Sequence, residues 1–400
     1  MRIAITSPAL RFGGLEKYTR SLAGQFAAAG HEVAFFETRW RGDWAGWFRE
    51  SGLAVRSLPL PALRSPAGHA ARVARALAGY DAVIANDDAI ARAGFGLLPA
   101  ATTAIVVIHA DLAGQYETAL GASDDCDAVV GVSDAIAEQA AARLAGRPAR
   151  LVRVHGGVRV PDAWPKANVV PAGLLALCFV GRVSDCYKGV FLLPGILQGV
   201  LDAGMNARLV VAGDGPDLPE LRRRFTAAGL GGRVEIAGAL SSGEVERLLD
   251  RSDLLLLPSR FEGFPLAPLE AMARGAVPVV TLLPGSTDRM IEDGVHGALV
   301  ASGDAAGFAA AVVALGLDRG QLRRMSEAGW RRVHEEFTEE RMGAEFLRLI
   351  AELRARPRPA PRSGRVDRSV LGDLPGLPSA LAYPACKLRR LAARGAGLLA

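Results

Sequence analysis

The chain lacks the features that mark secreted, zinc-dependent and membrane-spanning proteins. It has four cysteines among 400 residues, and none forms a CxxC pair or a metal-ligand cluster, so we expect a reducing compartment and no structural zinc. The N-terminus becomes polar and glycine-rich too early for a signal peptide. No segment approaches the ~20 apolar residues that a membrane span needs. These absences predict a cytoplasmic protein.

Positive charge is concentrated at the C-terminal end. Residues 354–400 contain ten Lys or Arg and two Asp or Glu, and the whole chain has a net charge of +5, so residues 1–353 carry −3. A nucleic-acid-binding protein is expected to place its basic surface on the folded domains, so we expect no nucleic-acid partner. The tail has two interpretations, a disordered solubilising segment or a peripheral contact with the anionic inner face of a membrane.

Apolar segments alternate with helical patterns along most of the chain. Because these segments are continuously apolar, they predict parallel strands covered on both faces. The predicted strands are residues 3–6, 33–36, 82–85, 104–108, 128–132 and 151–154, and then 175–180, 207–212, 234–237, 254–257 and 277–281.

A polar, proline-containing stretch at residues 161–171 separates the two series of strands. The chain is too long for one ordinary core, so we predict an α/β fold with two Rossmann-like parallel-sheet domains that face a central cleft. Thr338 is the predicted N-cap of a following helix, and the Pro/Arg pattern after that helix is typical of a flexible or polyproline-like linker. The predicted parts are domains at residues 1–165 and 166–336, a crossover helix at 337–355 and a basic tail at 356–400.

The most informative segment contains two glutamates, Glu262 and Glu270, separated by seven residues. The apolar run 254–257 precedes them, and a helical pattern covers residues 266–274. One carboxylate is therefore predicted on a loop after a strand, and the other inside the next helix. Ligands of open α/β sheets bind at the carboxyl ends of strands, so this segment predicts a ligand site.

Two glycines, Gly13 and Gly14, follow the first strand and precede a helix. Glycine lets the backbone approach a ligand closely, and a helix N-terminus favours an anion, so we favour a phosphate site. A purely steric turn is the plain alternative. A dinucleotide site with Glu37 on a ribose is a third interpretation, although neither this loop nor Gly213-Asp-Gly215 has the GxGxxG spacing.

Two cations, Arg182 and Lys188, follow the first strand of the second domain. A guanidinium fork and an ammonium point charge at a strand end can hold a diphosphate. Two solvated surface cations are the alternative.

Polar groups and turns follow several other strands. His109 ends the strand at 104–108, where it is either a catalytic candidate or an ordinary core or surface histidine. The turns at Gly213 and at Gly238–Leu240 can wrap a nucleobase with backbone groups, or they are ordinary βα turns.

Taken in order, these motifs resemble glycosyltransferase family 4, which has the GT-B fold. The resemblance covers about residues 1–350 and is most specific from Arg182 through the two glutamates to residues 285–297. It implies a C-terminal helix that returns towards the first domain. It also implies a hexosyltransferase that moves a sugar from a UDP- or GDP-sugar to a glycan or lipid-linked acceptor. The same resemblance implies that the transferred sugar retains its anomeric configuration and that the reaction uses no metal ion and no cofactor.

The resemblance assigns donor-binding roles residue by residue. Gly13 and Gly14 would approach the donor phosphates, and Arg182 and Lys188 would neutralise the leaving diphosphate. Glu270 would hydrogen-bond the donor ribose.

Further roles concern the donor sugar and the base. Glu262 would lie near the reacting centre, and His109 would contact the sugar near its hydroxymethyl group. The backbone amides of Gly263, Phe264 and Leu266 would face the sugar or phosphate. Gly213 and the stretch from Gly238 to Leu240 would border the base. The residues with expected catalytic roles are Glu262, His109, Arg182 and Lys188.

The sequence departs from the family pattern in two places. Lys188 lies six positions after Arg182, where the family usually has five, and this displacement bears on whether Lys188 reaches the phosphate. The stretch Gly156-Gly-Val-Arg159 stands where the family commonly has Asn-Gly-Val-Asp. Two other functions stay open, a sugar-nucleotide epimerase on the same fold and a non-catalytic nucleotide-sugar-binding partner.

Overall fold

The computed structural model describes residues 1–10, 13–42, 45–50, 52–61, 64–122, 124–165, 173–356, 358 and 360–371. These residues form two parallel sheets with helices between successive strands. The predicted fold class, two Rossmann-like domains, is confirmed. None of the helices in these ranges is long and apolar enough to cross a membrane.

The first sheet has the strand order β3-β2-β1-β4-β5-β6-β7. Its strands are β1 (Arg2–Ser7), β2 (Glu32–Glu37), β3 (Ala54–Ser57), β4 (Ala82–Asn86), β5 (Thr103–Ile108), β6 (Ala128–Gly131) and β7 (Arg150–Arg153). Its helices are α1 (Gly14–Ala28), α2 (Ala45–Glu50), α3 (Pro66–Leu77), α4 (Ala89–Ala93), α5 (Ala113–Leu120) and α6 (Asp134–Leu144). The strand order reverses between β1 and β4, which opens a crevice outside their carboxyl ends.

The second sheet has the strand order β10-β9-β8-β11-β12-β13. Its strands are β8 (Leu175–Val180), β9 (Ala207–Ala212), β10 (Val234–Gly238), β11 (Leu254–Leu257), β12 (Val277–Thr281) and β13 (Ala298–Val300). Its helices are α7 (Asp185–Lys188), α8 (Leu193–Asp202), α9 (Leu218–Ala227), α10 (Ser242–Asp250), α11 (Leu266–Ala273), α12 (Thr287–Met290), α13 (Ala305–Leu317) and α14 (Arg319–Glu336). The order reverses between β8 and β11.

The chain crosses between the domains at two places that lie side by side. The backbone N–H of Val158 donates to the carbonyl of Phe337 at 2.9 Å, and the N–H of Glu339 donates to the carbonyl of Val158 at 3.2 Å. Thr338 caps the following helix, α15 (Glu339–Ala355), as predicted, by accepting a hydrogen bond from the backbone of Arg341.

Helix α15 returns to the first domain, which confirms the predicted crossover. Phe346 is fully buried there, with its ring 6.5 Å from that of Tyr18 and 6.4 Å from that of Phe26. The same core takes up Leu349 and Ile350. Apolar burial of this kind contributes about 1.5–3 kcal/mol for each large side chain. It holds α15 on the first domain, although the helix follows the second domain in the sequence.

The expectation of a flexible linker after α15 is wrong for the described residues. Arg358 and residues 360–371, called here the C-terminal strap, pack against the first domain. Arg362 pairs with Asp127 at 2.9 Å, and Ser363 hydrogen-bonds Asp125. Ion pairs and backbone acceptors therefore fix a segment whose sequence has no helical or strand periodicity. The expected membrane contact of residues 381–400 lies outside the described residues.

Candidate active site

The candidate residues gather at carboxyl ends of strands near the two reversals of strand order. The segment from Arg182 to Lys188 follows β8, and Glu262 follows the neighbouring β11. In the first domain, Gly13 lies between β1 and α1, and His109 follows β5. Within the described part of the chain, no group of three His, Cys, Asp or Glu residues is arranged to hold a metal ion.

Glu262 is paired with Lys188. Lys188 Nζ donates to Glu262 Oε1 at 2.5 Å, and Ser259 Oγ donates to the same oxygen at 2.6 Å. The Glu262 side chain is only 8% exposed, so solvent screens this pair less than a surface ion pair. Helix α7, a single turn ending at Lys188, lies between Arg182 and Lys188. Lys188 thus contacts the carboxylate expected at the reacting centre.

Arg182 is exposed, and its side chain makes no hydrogen bond or ion pair with the described residues. Close backbone contacts at Gly213 hold the loop that carries Arg182. A Cβ at Gly213 would overlap the carbonyl oxygen of Gly181, and the N–H of Gly213 donates to the carbonyl of Gly238 at 2.7 Å. Glycine is therefore required at position 213 by the close approach of two turns, and its role beside a nucleobase stays a prediction. The guanidinium of Arg182 is left available for an anion.

Gly238 is the last residue of β10, and Leu240 lies in the turn that follows. Gly238 has a φ of 73°, a left-handed conformation that favours glycine. Leu240 packs against a small apolar cluster that includes Val245 and Leu249. Their role beside a nucleobase stays a prediction.

The two domains meet directly at Gly263 and His109. A Cβ at Gly263 would overlap the carbonyl oxygen of His109 and lie 2.8 Å from its carbonyl carbon. Ser286 Oγ donates to the carbonyl of Gly263 at 3.1 Å and fixes the loop from the other side. Glycine is needed here because the backbones of two domains touch.

The imidazole of His109 is neutral at physiological pH, because burial lowers its pKa to about 3. Its Nε2 lies 2.8 Å from Asn86 Oδ1, and the amide nitrogen of Asn86 donates to the carbonyl of Thr6. The amide oxygen thus faces the ring, which assigns the hydrogen to Nε2 and leaves Nδ1 as an acceptor. Tyr18 meets the ring edge-on, with centroids 4.8 Å apart.

Glu270 is paired with a residue that the sequence did not indicate. Lys17 Nζ, in the first turns of α1, lies 2.9 Å from Glu270 Oε1 and 3.3 Å from Oε2. Lys17 belongs to the first domain and Glu270 to the second. The expected ribose-binding carboxylate therefore carries an ion pair across the cleft.

The side chains of Phe264 and Leu266 close the interface rather than point into open space. Phe264 stacks on His155, with centroids 4.8 Å apart and planes 9° from parallel. A Cβ at Gly156 would lie 2.9 Å from Leu266 Cδ2 and 3.3 Å from Phe264 Cδ1. The sequence analysis did not include His155. Like His109 after β5, His155 follows the end of β7, and this position was the sequence signal for it. Contacts of Phe264 and Leu266 with a donor would therefore be made by their backbone amides, as predicted from the resemblance, and not by their side chains.

Gly13 and Gly14 form the start of α1. Gly13 is the N-cap in an extended conformation, and a Cβ at Gly14 would meet no atom within 4 Å. The dinucleotide interpretation fails at Glu37, which is fully buried and accepts backbone hydrogen bonds from Leu10 at 3.1 Å and Gly42 at 2.7 Å. It therefore fixes two loops and is not available to a ribose.

Asp87 is a candidate that the sequence analysis missed. It follows β4, has a φ of 46° and accepts a hydrogen bond from the backbone of His109 at 3.3 Å. Burial raises its pKa to about 7, with the neighbouring Asp88 adding to the rise. A strained backbone and a raised pKa beside a cleft are typical of functional positions. The Asn-Asp-Asp sequence at the end of a strand was the signal for it.

Replacing Asp87 by asparagine should stabilise the protein at high pH. The folded-state pKa is above the unfolded value of about 4, so wild-type stability falls as pH rises from about 4 to 7 and stays low above that. Asparagine does not ionise and tolerates the positive φ. At pH 8 we expect a gain of about 2 kcal/mol, below the full pKa equivalent because the side chain is partly exposed.

Denaturant unfolding at pH 5 and pH 8 measures this effect. Asp162 is exposed at the surface, so D162N is the control and should leave both values unchanged. An equal effect of D87N at both pH values would contradict the assignment.

Two curated relatives match part of the chain. Over 204 residues it is 29% identical to the putative colanic acid biosynthesis glycosyltransferase WcaL of Escherichia coli (strain K12), covering 49% of this chain and 50% of that protein. Over 245 residues it is 26% identical to the lipopolysaccharide core biosynthesis glycosyltransferase LpsE of Rhizobium meliloti (strain 1021), covering 60% and 68%. The match therefore spans about half the length of the first relative and about two thirds of the second.

A solved structure matches almost the whole described fold. The Anabaena Alr3699/HepE structure in complex with UDP and glucose has a TM-score of 0.73 and 17% sequence identity, and the match covers 88% of this chain and all of that one. At this identity the likeness shows a common GT-B fold.

Family models match both domains. Residues 12–160 match the model described as Glycosyltransferase Family 4, and residues 175–318 match the model described as Glycosyl transferases group 1. The two matches contain the glycine pair, the cations after β8 and both glutamates. With the two parallel sheets and the returning helix, they show that the chain belongs to glycosyltransferase family 4, a family of GT-B hexosyltransferases.

Proposed function

We propose that this chain transfers a sugar from a UDP- or GDP-sugar to a glycan or lipid-linked acceptor, with retention at the anomeric carbon. The observation that carries the proposal is the exposed Arg182 guanidinium at the end of β8, beside the strand end that bears the Lys188–Glu262 pair. The similarity to the colanic acid glycosyltransferase WcaL and the lipopolysaccharide core glycosyltransferase LpsE supports a setting in cell-surface polysaccharide or lipopolysaccharide assembly.

The charges of the site suit the charge changes of this reaction. Cleavage between the anomeric carbon and the phosphate creates negative charge on the leaving diphosphate and positive charge on the sugar. Arg182 and the first amides of α1 would stabilise the diphosphate, and this effect is greater in the transition state than in the bound substrate. One such donor contributes about 3–4 kcal/mol, a rate factor of roughly 10²–10³.

Glu262 and His109 would act on the sugar. Lys188 and Ser259 both donate to one oxygen of Glu262, which supports a role in stabilising positive charge on the ring, and we assign no covalent nucleophile. Neutral His109 offers Nδ1 as an acceptor for a sugar hydroxyl. Lys188 would share its charge between Glu262 and the diphosphate.

We place the reaction at the cytoplasmic side of a membrane, where a lipid-linked acceptor is accessible. Four basic residues that follow the docked strap in sequence, Lys387, Arg389, Arg390 and Arg394, support attraction to anionic lipid, at about 1 kcal/mol for each basic residue near the surface.

Replacing Arg182 by alanine should leave the fold intact and lower transfer by roughly 10²-fold or more. A thermal-shift screen with UDP-, GDP- and ADP-sugars first identifies the donor, because a ligand of the native state raises the melting temperature. Transfer is then measured as nucleotide release with that donor. Arg223, an exposed arginine on α9 that pairs with Glu220, provides the matched control R223A, which should retain full turnover.

Two results would contradict the proposal. Wild-type turnover in R182A would remove the site from the reaction. Isomerised donor formed without an acceptor would indicate an epimerase instead.

A further inference from the structure

The ion pair between Lys17 and Glu270 joins the two domains at the candidate donor site. Its atoms lie 2.9 and 3.3 Å apart, and the two side chains are 20% and 22% exposed. Lys17 is on α1, the helix whose first residues are the candidate phosphate-binding glycines, and Glu270 is inside α11. Because the two helices belong to different domains, a movement of the domains apart would break the pair.

The pair lies on the wall of an interdomain cavity of about 460 Å³. The other charged groups of that wall have partners of their own or stand apart from Glu270. Arg274 pairs with Glu246, and Ser21 donates to Glu339 at 2.5 Å. Arg20 and Arg159 also line the cavity, but among the described residues Lys17 is the cation paired with Glu270.

The geometry of the carboxylate leaves room for a ligand. A carboxylate has about four acceptor positions on its two oxygens. One ammonium that contacts both oxygens uses the positions on one side. A remaining position on either oxygen can accept a hydrogen bond from one hydroxyl group, such as a ribose hydroxyl. A fixed ammonium also removes the rotational freedom of a long glutamate side chain before the ligand binds.

We propose that Lys17 is a positioning residue for the donor nucleotide, which holds Glu270 from the opposite domain in the orientation that accepts a ribose hydroxyl. This inference rests on the proposed function. It makes nucleotide affinity depend on domain closure through one named contact. Lys17 acts through Glu270, and the transferred sugar is not its ligand.

A second interdomain ion pair provides the control. Arg289 Nε, on α12, lies 2.9 Å from Asp134 Oδ2, on α6. R289M removes a cation that bridges the domains but does not touch Glu270. K17M removes one that does. A loss caused by weaker closure alone should therefore appear in both variants.

Calorimetric titration with UDP or GDP, whichever binds the wild-type chain, tests the inference. We expect K17M to weaken nucleotide binding about tenfold, as for other directly coupled pairs, and R289M to change it less than about twofold. K17R should restore most of the affinity. In an E270Q background K17M should have no further effect. The donor KM of K17M should rise while kcat at saturating donor stays close to wild type.

Several outcomes would overturn the inference. One is that K17M binds the nucleotide with wild-type affinity, and another is that R289M loses as much nucleotide affinity as K17M does. A third is that K17M binds the nucleotide more tightly, which would make Lys17 a competitor of the ribose. Melting temperatures of all variants check that each is folded. Wild-type protein that binds no nucleotide would refute the proposed function itself, a result distinct from the others.

Discussion

Alanine at position 263 should open the cleft and lower transfer by roughly 10²-fold or more, because misplacement of reacting groups by about 1 Å has effects of that size. The added Cβ would overlap the carbonyl oxygen of His109 and lie 2.8 Å from its carbon. These are backbone atoms of the other domain, so no side-chain rotation relieves the overlap. Gly263 has no positive φ, and the effect is therefore steric.

Relief of this overlap requires the domains to move apart. The movement would also separate Lys17 from Glu270 and lengthen the approach of His109 to a bound sugar. Each domain keeps its own core, so we expect unfolding temperatures close to wild type. Small-angle X-ray scattering should report a larger radius of gyration, and the transfer assay should report the loss of turnover.

The control is G46A. Gly46 is exposed in α2, and a Cβ there would meet no atom within 4 Å, so the variant should scatter and turn over as wild type does. If G263A transferred sugar at the normal rate with unchanged scattering, the contact between the domains would have no part in activity.

Much of the fold was predictable because its central strands are continuously apolar. β11, with four buried leucines, is bounded in the structure as the sequence predicted. β3 and β13 were missed. They are strands of four and three residues at sheet edges, in which Val300 alone is buried. Local pattern therefore found the sheet centres and the edge strands β7 and β10, but it missed the other two edge strands.

The candidate site was predictable in position and much less so in its contacts. The turn between β11 and α11 set Glu262 on a loop and Glu270 in a helix, as expected. The partner of Glu270, Lys17, is 253 residues away in sequence, and no local pattern indicates which cation crosses the cleft. The raised pKa of Asp87 and the lowered pKa of His109 depend on burial, which exists only in the folded protein.

The C-terminal strap was misjudged for a related reason. Proline and arginine without periodicity are typical of linkers, but the arginines of the strap meet carboxylates and carbonyls of the first domain. Arg358 and Arg362 both reach Asp127, and Arg92 faces Asp367 at 3.8 Å. Docking by a few ion pairs leaves no signal in hydropathy.

Deleting residues 358–400 should therefore destabilise the first domain strongly, and more than deleting only 372–400 does. The longer deletion removes Arg362, whose side chain is 4% exposed, from Asp127. Loss of one partner of a buried pair costs about 3–5 kcal/mol. The longer deletion also removes Val370 and Leu371, which are buried in the domain core. Loss of this apolar burial costs about 1.5–3 kcal/mol for each side chain.

Calorimetry of both deletions measures the difference, and we expect the melting temperature of the longer one to fall by at least about 10 °C, since each kcal/mol shifts a domain of this size by about 2–4 °C. A point variant keeps the test valid if that deletion does not fold. R362A should lose several degrees, and R365A, which removes an exposed arginine of the same strap, should lose none. Equal melting temperatures for R362A and R365A would mean that the strap rests on the domain without stabilising it.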